Sequence, residues 1–495
     1  MLFPKENKNK RFRRDKKMEY VVKGRKPEAF FRYFEEISAI PRESYHEEKI
    51  ADYLVNFAKA RGLECYRDEA HNVFIKKPAT KGQENRPPIL FQGHTDMVCE
   101  KDGGVKHDFF NDPLELYIDG KFLRACGTTL GADDGVAVAM MLALLDGMVA
   151  EHPAYECLFS ATEEVGMVGA LQFDFSRIKA RTLINMDAGN EKYPLISCSG
   201  AFRTKMTLPF VTEPMTMQGL RVRVSGLIGG HSGAAINKGR ANANKLMGRL
   251  LAALTPMCDV RIISVRGGSK SNAIPRECEA VLAVPNFDEA SAVLKNCAAE
   301  IATELIPEDS NFTVIVEPAT ATRMMSREDT ARVCGVLACL ATGVFSMCRD
   351  LPYLVEYSRN FAVVATDTDA VTFTVSTRSA RNSKLDASKD ELNAFAAMIG
   401  AQIDHYDRYP GWVYDPNSKV REAYLRAYCE TTGEKATPIG VHAGIECGVI
   451  RSAIPDMDAI AIGPNCENGH SPSERLDLDS CEIFCRVVAR MIEIL

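Results

Sequence analysis

The chain has 495 residues, 46% hydrophobic and 25% charged, an ordinary globular balance that excludes disorder, collagen and coiled coil as the dominant state. At about 150 residues per domain, the length points to roughly three domains or two larger ones. With 60 Lys+Arg against 66 Asp+Glu, a net charge of −6 and one Trp, the chain lacks the basic excess and aromatic platform of a nucleic-acid binder.

Residues 1–26 open on MLFPKENKNKRFRRDKKMEY, Lys/Arg-rich without an apolar block, which predicts a solvated, mobile extension and no secretory signal. Met18 is an alternative start of translation. From Pro27, the residues Phe30, Phe31, Phe34 and Ile37 recur at helical spacing. Ser44 reads as the N-cap of a second helix reaching about residue 60. Residues 72–76 and 88–92 read as strands, the second running from apolar ILF into polar GHTD. Residues 131–150 open as a Gly/Asp turn and continue as the apolar helix VAVAMMLALL. A strand at 156–160, the turn ATEEVG, a helix and a strand at 182–186 follow. Strands alternating with helices predict an α/β sheet whose site lies beyond the strand ends.

The texture changes near residues 199–200. Strands are predicted at 220–224, 261–266, 277–284, 312–316, 361–366 and 371–377, and helices at 240–254, 290–305 and 327–341, with a glycine-rich stretch at 226–233. This is an α+β block over 201–394. Helix–strand alternation then resumes and closes on an amphipathic helix at 481–494. The reading is one α/β catalytic domain, 27–200 plus 395–495, interrupted by an inserted α+β domain. The 16 cysteines are scattered through apolar runs, as at Cys157, Cys334 and Cys339, with no C-x-x-C pair. They read as buried reduced thiols. With no 18-residue apolar span, a cytoplasmic enzyme without membrane or nucleic-acid partners is expected.

Five polar segments follow predicted strands: GHTDMV with His94 and Asp96, GADDG with Asp133 and Asp134, ATEEVG with Glu163 and Glu164, NMDAG with Asp187, and ENGHSP with His470. Carboxylates at apolar strand ends are costly unless paired or bound to cations. Two His and several carboxylates without a local Cys pair suit divalent ions of mixed N/O ligation, zinc or manganese among them. Two such ions bridged by a carboxylate form a hydrolytic clamp, and an adjacent carboxylate must carry the water's proton to the leaving amine. Glu163 and Glu164 point different ways in an extended turn, so one can face metal and the other water. Asp96, two residues after His94, is placed to fix its tautomer. His46-Glu47 does not open an H-E-x-x-H site, because position 50 is Ile. Cys99 and Cys466 have no predicted base beside them and read as peripheral thiols. No nucleotide-binding glycine motif stands at a strand–helix turn.

These segments, with VSGLIGGHSG, FEEISAIPRESYHEEKIADYL, GGHSGAAINKGRANANKL and HAGIECG, resemble the co-catalytic zinc aminoacylase/dipeptidase/carboxypeptidase family, in particular its aminoacyl-histidine dipeptidase branch. The resemblance runs from about Pro27 to the C-terminus. It implies a zinc-peptidase-like mixed sheet with helices on both faces, an inserted lid and dimerisation domain, and a homodimer acting on dipeptides of broad, Xaa-His type. It implies two ions, most simply Zn2+, with Mn2+ or Co2+ possible. Asp133 would bridge them, His94 and Asp187 completing one site and Glu164 and His470 the other. Glu163 would be the general base and then acid, Asp96 would orient His94, and His231 would stabilise the oxyanion, in cis or from a partner subunit. Asn272, Arg378, Gly444 and Glu446 would contact substrate. Asp134 reads as a turn residue and His442 as a local hydrogen-bonding residue. An N-acyl amino-acid amidohydrolase on the same metal chemistry is the alternative enzyme, and a metal-bound inactive scaffold is the alternative from another class.

Overall fold

The computed structural model describes residues 20–495. The predicted mobility of the chain before Tyr20, and the choice between Met1 and Met18, lie outside the described residues. Residues 20–26 are docked on the folded body. The amides of Val21 and Val22 donate to the Glu35 carboxylate at 2.6 and 2.8 Å, and the amide of Lys26 donates to Glu482 at 3.1 Å.

One sheet is mixed and has eight strands. In spatial order its strands are Glu64–Arg67, Val73–Lys77, Tyr155–Ser160, Ile89–His94, Thr182–Asn185, Asp458–Ala461, Leu195–Cys198 and Ile439–Val441. Ile89–His94 is buried along its whole length and runs parallel to both neighbours, as a central strand apolar on both faces should. Parallel strands put their C-terminal ends on one edge. His94 to Asp96, residues 161–164 and Met186–Asp187 therefore open side by side. Asp458–Ala461 joins the same parallel set beside Thr182–Asn185, so the last part of the chain completes a sheet that the first part begins. Helix Ala132–Leu145, apolar on every face, is buried almost throughout and packs against Ile89–His94 and helix Glu28–Ser38. The latter turns Phe30, Phe31, Phe34 and Ile37 inward, as their spacing predicts.

The second sheet is antiparallel, in the order Thr313–Ala319, Gln218–Ser225, Cys278–Val284, Arg261–Gly267, Val355–Thr366, Ala370–Ser379, Gly200–Pro209 and Gln402–Tyr409, with Gly343–Met347 paired beside Val355–Thr366. Helices Ala243–Leu254, Phe287–Ala302, Arg327–Cys339 and Asn382–Ile399 bury it in a second apolar core. The boundary expected at 394/395 falls inside helix Asn382–Ile399. Strand Gln402–Tyr409 pairs with Gly200–Pro209, so this sheet continues past the expected boundary. The two chain crossings lie against each other. Cys198 and Trp412 exchange backbone hydrogen bonds of 3.0 Å, and a Cβ on Gly200 would stand 2.5 Å from the amide nitrogen of Gly411. Only glycine permits that approach.

Most predicted elements are present with ends moved by a few residues. The second helix differs in a way that matters: it runs Glu48–Ala60, and Ser44 does not cap it. The Ser44 hydroxyl donates instead to Asp96 at 2.8 Å. Among the described residues no helix is long and apolar enough to cross a membrane.

Candidate metal centre

The five expected ligands converge where the strands end. Asp133 stands at the centre: its Oδ1 lies 3.0 Å from His94 Nε2 and its Oδ2 lies 3.1 Å from His470 Nε2. Glu164 Oε1 is 3.1 Å from the same His470 nitrogen. Ligand atoms of His94, Asp133 and Glu164 lie within 4.8 Å of one another, as do those of His94, Asp134 and Asp187. A cavity of about 220 Å³ beside them is lined by Asp133, Asp134, Asp187, Cys466 and Gly469 among others. The donor set fits a pair of divalent cations. Asp187 is a half-buried carboxyl among the like charges of Asp133, Asp134 and Glu164, and buried Glu164 Oε1 has no hydrogen-bond donor other than the His470 ring. Such a cluster is costly without positive charge.

Asp134 belongs to the scaffold as well as the cluster. Its Oδ2 accepts from the amide of His94 at 3.2 Å and its Oδ1 from Ala137 at 3.3 Å. A Cβ on Gly93 would stand 2.3 Å from Asp134 Oδ2 and 2.2 Å from Ala137 Cβ. Gly93→Ala should therefore destabilise the fold by about 1–3 kcal/mol, the scale of core overpacking, read as a lower urea midpoint with an unchanged m-value.

Asp96 is fully buried and organises the turn after the next strand. It accepts from the amides of Glu163 at 2.9 Å and Glu164 at 3.2 Å. The His94 Nδ1 that it was expected to orient lies 3.1 Å from the Asp96 carbonyl and 3.4 Å from its carboxylate, so the backbone shares the task. Two supporting residues escaped the sequence reading. Arg42, buried, donates to the carbonyls of Thr95 at 3.0 Å and Asp96 at 3.1 Å. Glu474 accepts from the amides of Leu130, Gly131, Ala132 and Asp133 at 2.7 to 3.4 Å, tying the loop that carries His470 to the loop that carries Asp133.

The remaining expected residues form a second group. His231 lies on the short strand Gly230–His231 paired with Ala273–Ile274, and the Asn272 carbonyl accepts from Ser232 at 2.8 Å. The loop packs on HAGIECG: a Cβ on Gly233 would stand 2.3 Å from the His442 carbonyl. His442 reaches Ser358 Oγ at 2.7 Å, and Arg378 Nη1 donates to Tyr409 at 3.2 Å. Gly444 lies against Tyr409 and Met167. Glu446 is wholly buried, accepting from Ser160 Oγ at 2.7 Å and from Gln92, and it lies near enough to raise the Glu163 pKa. Among the described residues no hydrogen bond or ion pair joins His231 to the metal ligands.

The model of peptidase family M20/M25/M40 matches residues 90–494. The chain belongs to that family. Over 479 residues, 94% of this chain and 97% of the relative, it is 34% identical to the cytosol non-specific dipeptidase of Escherichia coli (strain K12). Its structure resembles that of aminoacylhistidine dipeptidase from Vibrio alginolyticus, with TM-score 0.89, 34% identity and coverage of 95% of this chain and 97% of that one. It shares the fold of an aminopeptidase from Bacillus cereus, at TM-score 0.54, 17% identity and coverage of 94% and 98%. The family that GHTDMV, GADDG and ATEEVG resemble is thus the one found.

The electrostatics of this M20 peptidase follow from the geometry. The Asp133 and Glu164 carboxylates pull the His470 imidazolium pKa up to about 11. Burial opposes charge on His94, yet its bonds to Asp133 and Asp96 raise its pKa well above the ordinary value. Burial also raises Asp187, helped by Asp133 and Asp134, and raises Glu163, helped by Asp187, Glu446 and Glu164. In the chelated protein a proton on each imidazole would stand in for a cation. Metal uptake near neutral pH should then release at least the two imidazole protons, with a further contribution from Asp187, because ligands bind deprotonated; calorimetry in buffers of different ionisation enthalpy counts them. Both histidines have folded pKa values above the unfolded one. Their contribution to the chelated protein is full below the ordinary His range and fades as pH climbs above it, for His470 toward about 11. Its thermal midpoint should fall over that window.

Proposed function

We propose that the chain is a two-metal dipeptidase hydrolysing the peptide bond of dipeptides, with broad Xaa-His-type preference. The observation that carries this reading is the single carboxylate of Asp133 reaching His94 with one oxygen and His470 with the other, beside the Glu163–Glu164 pair. Asp133 would bridge two ions, Zn2+ or else Mn2+ or Co2+, with His94 and Asp187 on one and Glu164 and His470 on the other. When bound, the ions supply polarisation of the scissile carbonyl and a more acidic attacking water. Glu163 takes the water's proton and passes it to the leaving amine nitrogen. Asp96 holds His94 and the Glu163 turn.

His231 would stabilise the oxyanion, and burial together with Arg378 lowers its pKa, which keeps it a neutral donor. Arg378, with a buried Nε that has no partner, would grip a substrate carboxylate, with Asn272 and Gly444 as further substrate contacts. Glu446 is covered, and burial pushes its carboxyl up to about 7, so it would act on the substrate amine only indirectly, through the floor of the site. We further propose a catalytic domain interrupted by a lid that dimerises the protein, and a cytoplasmic setting.

A panel of dipeptides and their N-acetylated counterparts, assayed with and without a chelator, tests the reading. Turnover of the free-amine dipeptides that the chelator abolishes and metal restores is expected. Preference for the N-acetylated compounds would favour an N-acyl amino-acid amidohydrolase instead.

A further inference from the structure

The residue before Glu163 is in an unusual conformation. Thr162 has φ 55°, the left-handed region that β-branched residues avoid because Cβ crowds the backbone. Strain of this kind persists only where the surroundings impose it, and it gathers at functional sites. The Val168 amide donates to the Thr162 carbonyl at 3.0 Å, and one side chain holds the amide and hydroxyl of the same residue. Glu47 Oε1 accepts from the amide of Thr162 at 2.8 Å and from its Oγ1 at 2.7 Å. Glu47 is 1% exposed, so water does not compete for either bond.

The partners are 115 residues apart in sequence, and the segment that carries Glu47 touches the site at other points. Ser44 donates to Asp96 at 2.8 Å, and Arg42 donates to the Thr95 and Asp96 carbonyls. On the far side of Thr162, Asp96 receives the amides of Glu163 and Glu164. The catalytic turn is therefore gripped from two sides, Glu47 before it and Asp96 within it. If Thr162 relaxed to negative φ, the Glu163 amide would swing off Asp96 and its carboxylate would aim elsewhere.

We propose that Glu47 is a positioning residue for the hydrolysis, acting through Thr162 to aim the Glu163 carboxylate. The inference rests on Glu163 being the proton carrier of the proposed function. Glu47 touches neither substrate nor reacting atoms; its contribution is the backbone angle it enforces.

The test compares Glu47→Ala and Glu47→Gln, each with Thr162 kept and with Thr162→Gly, alongside Glu163→Gln. Glu47→Ala is expected to lower kcat by about 10²-fold, the scale of a small misplacement of a catalytic group. KM and bound metal should stay close to the wild-type values. Glu47→Gln keeps the accepting oxygen and should retain most of kcat. In the Thr162→Gly background, Glu47→Ala should cost little, because glycine holds a positive φ without a clamp; such non-additivity marks residues that act through one another. Equal losses in both backgrounds, or an unchanged kcat in Glu47→Ala, would overturn the inference. Should Glu47→Ala not fold, Glu47→Met fills the volume without accepting a bond and is read by the same criteria. If Glu163→Gln is inactive while Glu47→Ala is unaffected, only this inference fails; a fully active Glu163→Gln sinks the proton-carrier reading itself.

Discussion

Glu163→Gln is expected to keep its bound metal and lose turnover by about 10²–10⁴-fold, the range that a positioned general acid–base supplies. The substitution preserves shape while removing the charge and the capacity to accept a proton. The turn is held by main-chain bonds, from the Glu163 and Glu164 amides to Asp96, and these do not depend on the Glu163 side chain. The proposed ligands Asp133, His94 and His470 hold one another and are untouched. Burial, with Asp187, Glu446 and Glu164 close by, raises the carboxyl pKa. That direction suits a group that must accept a proton and then give it up again. Metal analysis beside steady-state kinetics decides the matter. A variant with full metal and full activity removes Glu163 from the chemistry, and one that has lost metal would make it a ligand instead.

How much of this was legible follows from what kind of signal each residue carries. His94, Asp133, Glu163, Glu164 and Asp187 could be read because each borders an apolar run, Asp133 at its start and the others at or after its end, and an α/β sheet puts its chemistry at that edge. His470, 337 residues from Asp133, could be grouped with them as a polar segment, but its assignment beside Glu164 came only with the resemblance. Arg42, Glu47 and Glu474 gave no such sign. Each acts by side-chain bonds to the backbone of a distant loop, a relation with no periodicity and no local motif. Glu474 lies four residues beyond His470 and would have passed for a solvated glutamate.

Ser44 shows the opposite error. A residue type favoured at helix starts was assigned there, while tertiary structure uses its hydroxyl on Asp96. The strand QIDHYDRY was missed for a third reason. At the edge of the second sheet it exposes much of its length, so it lacks the apolar pattern by which strands are recognised. The expected boundary at 394/395 went wrong with it.

Asp133→Asn should be the more disabling change, because it removes the proposed bridge itself. One carboxylate oxygen faces His94 at 3.0 Å and the other His470 at 3.1 Å. An amide offers one oxygen and one NH2, carries no charge, and turns a donor toward one of the two positions. Neither ion position keeps its shared anionic ligand. The loop itself should persist, since the four amides before and at this position are held by Glu474 and not by the Asp133 side chain. The expected protein is folded, poor in metal and without turnover, the converse of Glu163→Gln. Stability makes the difference measurable apart from activity. A ligand at 100 times its Kd stabilises the form that binds it by about 2.7 kcal/mol. The wild-type thermal midpoint should therefore rise on adding metal to chelated protein, while the midpoint of Asp133→Asn should barely move. If the variant bound two ions and showed the wild-type rise, Asp133 would not be the bridge, and the pairing of His94 with His470 through it would have to be explained as a salt link of the fold.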